Sequence, residues 1–268
     1  MADALSRYRA PALDKGLDIL ELLAEHEEGL SQSEIAKALQ RSPSEIYRMI
    51  DTLVRRGYAR RTAGEERLIL GVKLFALATR HPPMRRLLQA ASEVTTDVAA
   101  RTLQSCHVSL YRDGNLFVAV QADSPGRLGL SVRLGAGVDL LTTGSGLAML
   151  AFQSEERRAR MLAAHQLVTS AAKTTDTLFH TLQSVRAAGH VARLSQQTAG
   201  VSDLAFPILG RTGDAVAVIS IPFITRLDPP QAPDLPACCA VLNDAAASLS
   251  SAVPPFAAAE IDLQADAA

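Results

Sequence analysis

Between Arg41 and Arg61 the chain carries six arginines, at positions 41, 48, 55, 56, 60 and 61, against only Glu45 and Asp51, a local balance of +4 in a chain whose formal total is −1. Clustered guanidinium groups suit phosphate contacts, because each one that neutralises a phosphate releases a condensed counterion. A second set, Cys106, His107 and Asp113, holds the residue types of cysteine nucleophile catalysis. Neighbours on a strand point to opposite faces, so Cys106 and His107 cannot readily share a proton there, and a core or pocket role suits His107 better. The six histidines show no H-E-x-x-H or comparable ligand spacing, and the chain has no phosphate-cradling G-x-x-x-x-G-K-S/T segment. No metal or cofactor is expected.

For the arginines to reach DNA, one helix must be lifted clear and braced. Leu13, Leu17, Leu20 and Ala24 recur at helical spacing, widened by Ile19 and Leu23, which predicts a first helix over 13–25, stopped at Gly29. Ser31 and Glu34 have the spacing of a capping box at the start of a second helix that turns Ile35, Ala36 and Leu39 inward. Only Gln40 and Arg41 follow before Ser42, Pro43 and Glu45 repeat the device and open a third helix that runs to about Arg56, with Gly57 as its C-terminal cap. In that helix Ile46, Met49, Ile50 and Leu53 share one face. The opposite face then presents Ser44, Tyr47, Arg48, Asp51 and Arg55, with the first three nearest the end that meets base edges.

Short strand-like runs at Tyr58 to Arg61 and Arg67 to Leu70, around the polar turn at 62–65, predict a wing. The expected DNA-binding set is therefore Ser42, Ser44, Glu45, Tyr47, Arg48, Asp51 and Arg55 on or beside the third helix, with Arg60, Arg61 and Arg67 in the wing. Arg48 has the geometry to read guanine, and the wing arginines suit the DNA backbone or minor groove.

At 268 residues the chain is long enough for two domains with a core each. The pattern predicts a flexible N-terminus over 1–11, a winged helix-turn-helix over 12–71, a linker helix over 72–82 centred on Val72 to Ala78, a second domain over 83–253 and a flexible tail over 254–268. Prolines 82 and 83 mark the boundary. Beyond it a helix over Met84 to Leu103 is followed by strands at Cys106 to Tyr111, Leu116 to Gln121 and Leu128 to Leu134, then helical stretches near 145–164 and 175–188. Strands return at His190 to Leu194, Leu204 to Leu209 and Val216 to Ile221, before a last helix ending about Val253. The class is α+β, with an antiparallel sheet and helices grouped around it.

Cys106, Cys238 and Cys239 form no C-x-x-C pair, which argues against a disulfide framework or zinc site and for a reducing compartment. No apolar run approaches the roughly 20 residues of a membrane helix. A cytoplasmic protein is expected.

The segments Leu13 to Leu20, Leu30 to Ala36 and Ser44 to Tyr58 together resemble the isocitrate lyase regulator (IclR-type) family of bacterial transcription factors, and the resemblance runs from about Ala12 to Val253. It implies a winged helix-turn-helix joined by a helical linker to a GAF-like effector domain, dimers formed through the DNA-binding domains, and often tetramers. It also implies an effector pocket at Thr143, Gly144, Ser145 and Gly146, where glycines would let backbone N–H groups approach a ligand at a helix N-terminus. An ordinary helix cap is the plainer reading of the same residues.

By that resemblance Ser220 lines the pocket, while Arg193 and Asp203 depart from a family pattern that tends to have an acidic residue and a cysteine there. Two readings of this pair stand. Either Arg193 grips a ligand carboxylate and Asp203 accepts from a hydroxyl or amine, or the two form a salt bridge with each other. The expected partners are double-stranded operator DNA, a small organic acid, aromatic ones included, and further copies of the chain as homodimer or tetramer. A protein-interaction module and a cysteine-dependent enzyme are the alternatives.

Overall fold

The computed structural model describes residues 10–62, 67–80, 82–169, 176–227 and 232–253, and the chain divides into two compact units between His81 and Pro82. Of the expected flexible ends, residues 1–9 and 254–268 lie outside the described residues, as does most of the wing turn.

The first unit opens with α1 (Pro11–Ala24), α2 (Gln32–Ala38) and α3 (Pro43–Arg55). Both expected cap positions are used. The Glu34 N–H donates to Ser31 Oγ at 3.3 Å while the Ser31 N–H donates to Glu34 Oε2 at 2.7 Å, which answers two backbone donors that the helix start would leave unpaired. Gln40 takes a left-handed backbone, φ 51°, in the short turn that redirects the chain into α3. Strands β1 (Ala59–Arg61) and β2 (Leu68–Leu70) pair antiparallel, Ala59 opposite Leu70, and α4 (Lys73–Arg80) closes the unit.

The core of this unit holds Ile19, Leu23, Ile35, Ile46, Ile50 and Leu68. One expectation needs correction: α1 buries Gly16, Ile19, Leu20 and Leu23, leaving Leu13 and Leu17 61% and 48% exposed. Helical periodicity permits both stripes, and contact with α3 and β2 selects the one carrying Ile19.

The second unit runs α5 (Pro82–Thr102), β3 (Cys106–Arg112), β4 (Asn115–Ala122), β5 (Gly137–Val138), α6 (Gly144–Ala151), α7 (Glu155–Thr169), α8 (Asp176–Ala188), β6 (Val191–Leu194), β7 (Val201–Leu209), β8 (Ala215–Ile224) and α9 (Leu235–Ala252). Its strands form one antiparallel sheet in the order β5-β4-β3-β8-β7-β6. Helices α5 and α9 pack on the face that carries Cys106, Val108, Ile219 and Ile221. Helices α6 and α8 pack on the other, with Val118, Ala205 and Val218. This is the expected α+β class.

Two elements differ from expectation. Leu128 to Leu134 alternates like a half-buried strand but forms a loop, with Leu128 and Leu134 exposed, because the open edge of β4 is taken further along. Val118 exchanges backbone hydrogen bonds there with Gly135 and Ala136, and Leu116 and Phe117 pair with β5. The helical stretch expected near 145–164 is two helices, because α6 ends with Phe152 as its C-cap and Ser154 opens the next run, its Oγ accepting the Arg157 N–H at 3.3 Å.

Candidate functional site

Helix α3 buries Ile46 and Ile50 completely and half-buries Met49 and Leu53. The face this leaves to solvent carries Ser44, Tyr47, Arg48, Asp51 and Arg55, all exposed, and Arg60 and Arg61 are exposed on β1. The structure therefore brings the α3 members of the expected set to one exposed face and leaves the two β1 arginines open to solvent.

Four of the expected residues are engaged within the protein, Ser44 through its hydroxyl alone, 3.2 Å from that of Ser42. The Glu45 carboxylate accepts from the Ser42 N–H at 3.0 Å, the Ser42 hydroxyl at 2.9 Å and Lys15 Nζ at 3.0 Å, so it holds the start of α3. The Ser42 N–H, then Lys15, lower its carboxyl to about 2. Arg67 lies back on the fold, its Nη2 donating to the Gly29 carbonyl at 2.9 Å and meeting Glu34 at 3.2 Å. Sequence reasoning missed Lys15, since nothing local links position 15 to position 45.

The second surface is a cavity of about 160 Å³ between α6, β7 and β8, lined by His107, Val138, Thr143, Gly144, Ser145, Val201, Asp203, Leu204, Ala205, Ser220 and Ile221, with Leu130 and Gln197 from flanking loops. Register builds it. Ala205 pairs with Ser220, Ser220 with His107, and Asp203 stands two residues along β7 on the same face.

The segment before α6 is tightly tied. Asp139 Oδ1 accepts the Leu141 and Thr142 N–H groups at 2.9 and 2.7 Å. Thr143 caps the helix, its Oγ1 accepting the Gly146 N–H at 3.0 Å. The Gly144 N–H donates to Asp203 Oδ2 at 3.0 Å, and the Ser145 and Ser220 hydroxyls lie 2.8 Å apart in the buried wall. Both glycines make room for protein. A Cβ at Gly144 would stand 2.6 Å from Asp203 Cβ, and one at Gly146 would meet the Leu140 carbonyl.

Neither reading of Arg193 and Asp203 describes them fully. They are cross-strand neighbours with no ion pair between them. Arg193 donates to the Thr142 carbonyl at 2.9 Å and does not line the cavity, whereas Asp203 does. Each fastens the segment before α6.

His107 is 5% exposed, and burial depresses its imidazole to about 4, so it is neutral near pH 7. Neither ring nitrogen has a hydrogen-bond partner among the described residues. Cys106 points into the α5/α9 face, where burial pushes its thiol far above the usual range. It therefore has neither the thiolate nor the base that a nucleophile needs. Among the described residues no group of three His, Cys, Asp or Glu side chains is placed to hold a metal ion, and no helix is long and apolar enough to cross a membrane.

Two family profiles match the chain: the IclR helix-turn-helix domain over residues 12–63 and the bacterial transcriptional regulator IclR C-terminal domain over 84–251. The HTH-type transcriptional regulator KdgR of Escherichia coli is 26% identical over 214 residues, 79% of this chain and 81% of that protein. Among solved structures, a transcriptional regulator from Alicyclobacillus acidocaldarius superposes with a TM-score of 0.74 at 22% identity, covering 92% of this chain and all of that one. An IclR homolog from Microbacterium hydrocarbonoxydans, complexed with 4-hydroxybenzoate, gives 0.74 at 20% identity, covering 90% and 98%.

Proposed function

The chain belongs to the IclR family of bacterial transcriptional regulators, and from that membership we propose that α3 and the wing hold operator DNA while a small metabolite in the cavity beside α6 sets how tightly. The observation that carries this is the division of α3 into a buried Ile46/Ile50 face and an exposed Tyr47/Arg48 face. A helix so anchored can enter a major groove without unpacking its own domain. Ser44, Tyr47 and Arg48 stand to meet bases, Arg55, Arg60 and Arg61 the backbone, and Ser42 and Glu45 hold the helix end in place.

One recognition helix spans too few base pairs for genomic specificity, so the working form is a homodimer, or a tetramer built from dimers. The exposed Leu13 and Leu17 of α1 are apolar surface that a second copy would cover. The protein acts in the cytoplasm and performs no catalysis. A ligand shifts DNA affinity only by preferring one arrangement of the chain, and a coupling of about 1–3 kcal/mol is enough for a switch.

The test is a fluorescence-anisotropy titration of the full chain on its own upstream DNA and on unrelated duplex, over a series of salt concentrations. Wild type should prefer the upstream DNA with a steep salt slope, and Arg48→Ala should lose about 1–3 kcal/mol of that preference while the second unit melts unchanged. Equal affinity of wild type for both duplexes would end the proposal.

A further inference from the structure

We infer that the ligand of the cavity beside α6 is a small uncharged molecule bearing hydroxyl groups, because Asp203 already supplies the negative charge that the helix N-terminus attracts. This deepens, and rests on, the reading of the cavity as the effector site, and it replaces the organic acid expected from the family resemblance.

A helix N-terminus favours an anion because its first N–H groups lack partners within the helix. In α6 two of those donors are taken, Gly144 by Asp203 Oδ2 at 3.0 Å and Gly146 by Thr143 Oγ1 at 3.0 Å. The missing side chain at Gly144 admits Asp203, whose Cβ would lie 2.6 Å from an added Cβ. A ligand carboxylate placed there would sit beside a fixed carboxylate. Among the described residues no lysine or arginine lines the cavity to offset the repulsion, since Arg193 is turned onto the Thr142 carbonyl.

What remains in the lining suits hydroxyl groups. His107 offers a neutral imidazole with no hydrogen-bond partner among the described residues, able to donate through one nitrogen and accept through the other. Asp203 has acceptor capacity beyond its one bond to Gly144, and the Ser145 and Ser220 hydroxyls can donate or accept. A hydroxyl does both, so one ligand satisfies all of these groups. The cavity volume of about 160 Å³ is close to that of a benzene-sized engineered cavity, about 150 Å³.

The experiment is calorimetric titration and thermal shift of the full-length protein with matched neutral and acidic probes of roughly three to eight carbons, the range that volume admits: glycerol against glycerate, xylitol against xylonate, catechol against protocatechuate. The neutral member should bind at least about tenfold more tightly than its acid, since like charges in contact repel strongly even at an effective dielectric constant of about 20. Asp203→Ser vacates the N-terminus and should narrow or reverse that ratio. Asp203→Asn keeps the shape without the charge and should move it the same way if the serine variant folds poorly. Tighter binding of the acids to wild type, with the ratio unchanged in Asp203→Asn, would overturn the inference and leave the effector site standing. Binding that survives filling of the cavity by Ala205→Leu, or no binding by either set, would overturn the effector-site reading itself, and the inference with it.

Discussion

Lys15 on α1 and Glu45 at the start of α3 meet at 3.0 Å, across the cap of the helix that presents Arg48. Glu45 is bound at the same time by Ser42, so the carboxylate links two helices and a helix start. The aim of the exposed α3 side chains proposed to meet DNA is thus set partly by a residue whose own oxygens are occupied.

Stability should report this link through pH. Glu45 titrates at about 2 in the fold against an ordinary 4.5, so between those values the folded state binds fewer protons than the unfolded chain. The stabilisation is complete above about pH 4.5 and is lost as the pH falls toward 2. Urea unfolding of the first unit should show Glu45→Gln less stable than wild type at neutral pH, with the two converging as the pH approaches 2. A gap that persists at low pH would mean that the charge is not the cause.

Arg60 is exposed on β1 and suits phosphate rather than base contact. Arg60→Ala should weaken binding to upstream and unrelated duplex by the same factor, and reduce the magnitude of the slope of log affinity against log salt by about 0.9. An effect confined to the upstream sequence would make it a base reader.

Burial of His107 sets up a second pH dependence, of the same sign. Its imidazole is depressed to about 4 against an ordinary 6.5, so over that window the unfolded chain takes up a proton that the folded chain resists. The second unit should lose melting temperature as pH falls from about 6.5 to 4, and His107→Gln should flatten that loss.

An added methyl at Gly146 would meet the Leu140 backbone, which cannot swing aside as a side chain can. Gly146→Ala should cost about 1–3 kcal/mol in chemical denaturation. Gly137→Ala, where a Cβ meets nothing within 4 Å, is the control and should stay within about 0.5 kcal/mol of wild type.

The DNA-binding unit was legible because its signals are local: Ser31 with Glu34, Ser42 with Glu45, and the Ile46/Ile50 period all act within one or two turns. The buried stripe of α1 was not, because two faces satisfied the same period and only packing could choose. The loop at Leu128 to Leu134 shows the matching failure for strands, where alternation says nothing about whether an edge is free to pair. The cavity was the least legible. Asp203 meets Gly144 across 59 residues and Ser145 meets Ser220 across 75, through sheet register that no short segment encodes. Resemblance pointed to this loop and to Asp203, but nothing local told it that the Gly144 N–H is answered by the protein's own carboxylate.

The middle of the six-stranded sheet joins β3, which ends at Arg112, to β8, which begins at Ala215. A chain emerging from the ribosome N-terminus first can complete the short-range contacts of its first unit early, yet cannot close the centre of the second until about a hundred further residues have been made. Until then the β3 edge stands open, a template for wrong pairing. A premature stop upstream of Ala215 would therefore release a protein that still grips its DNA but has lost the part that listens.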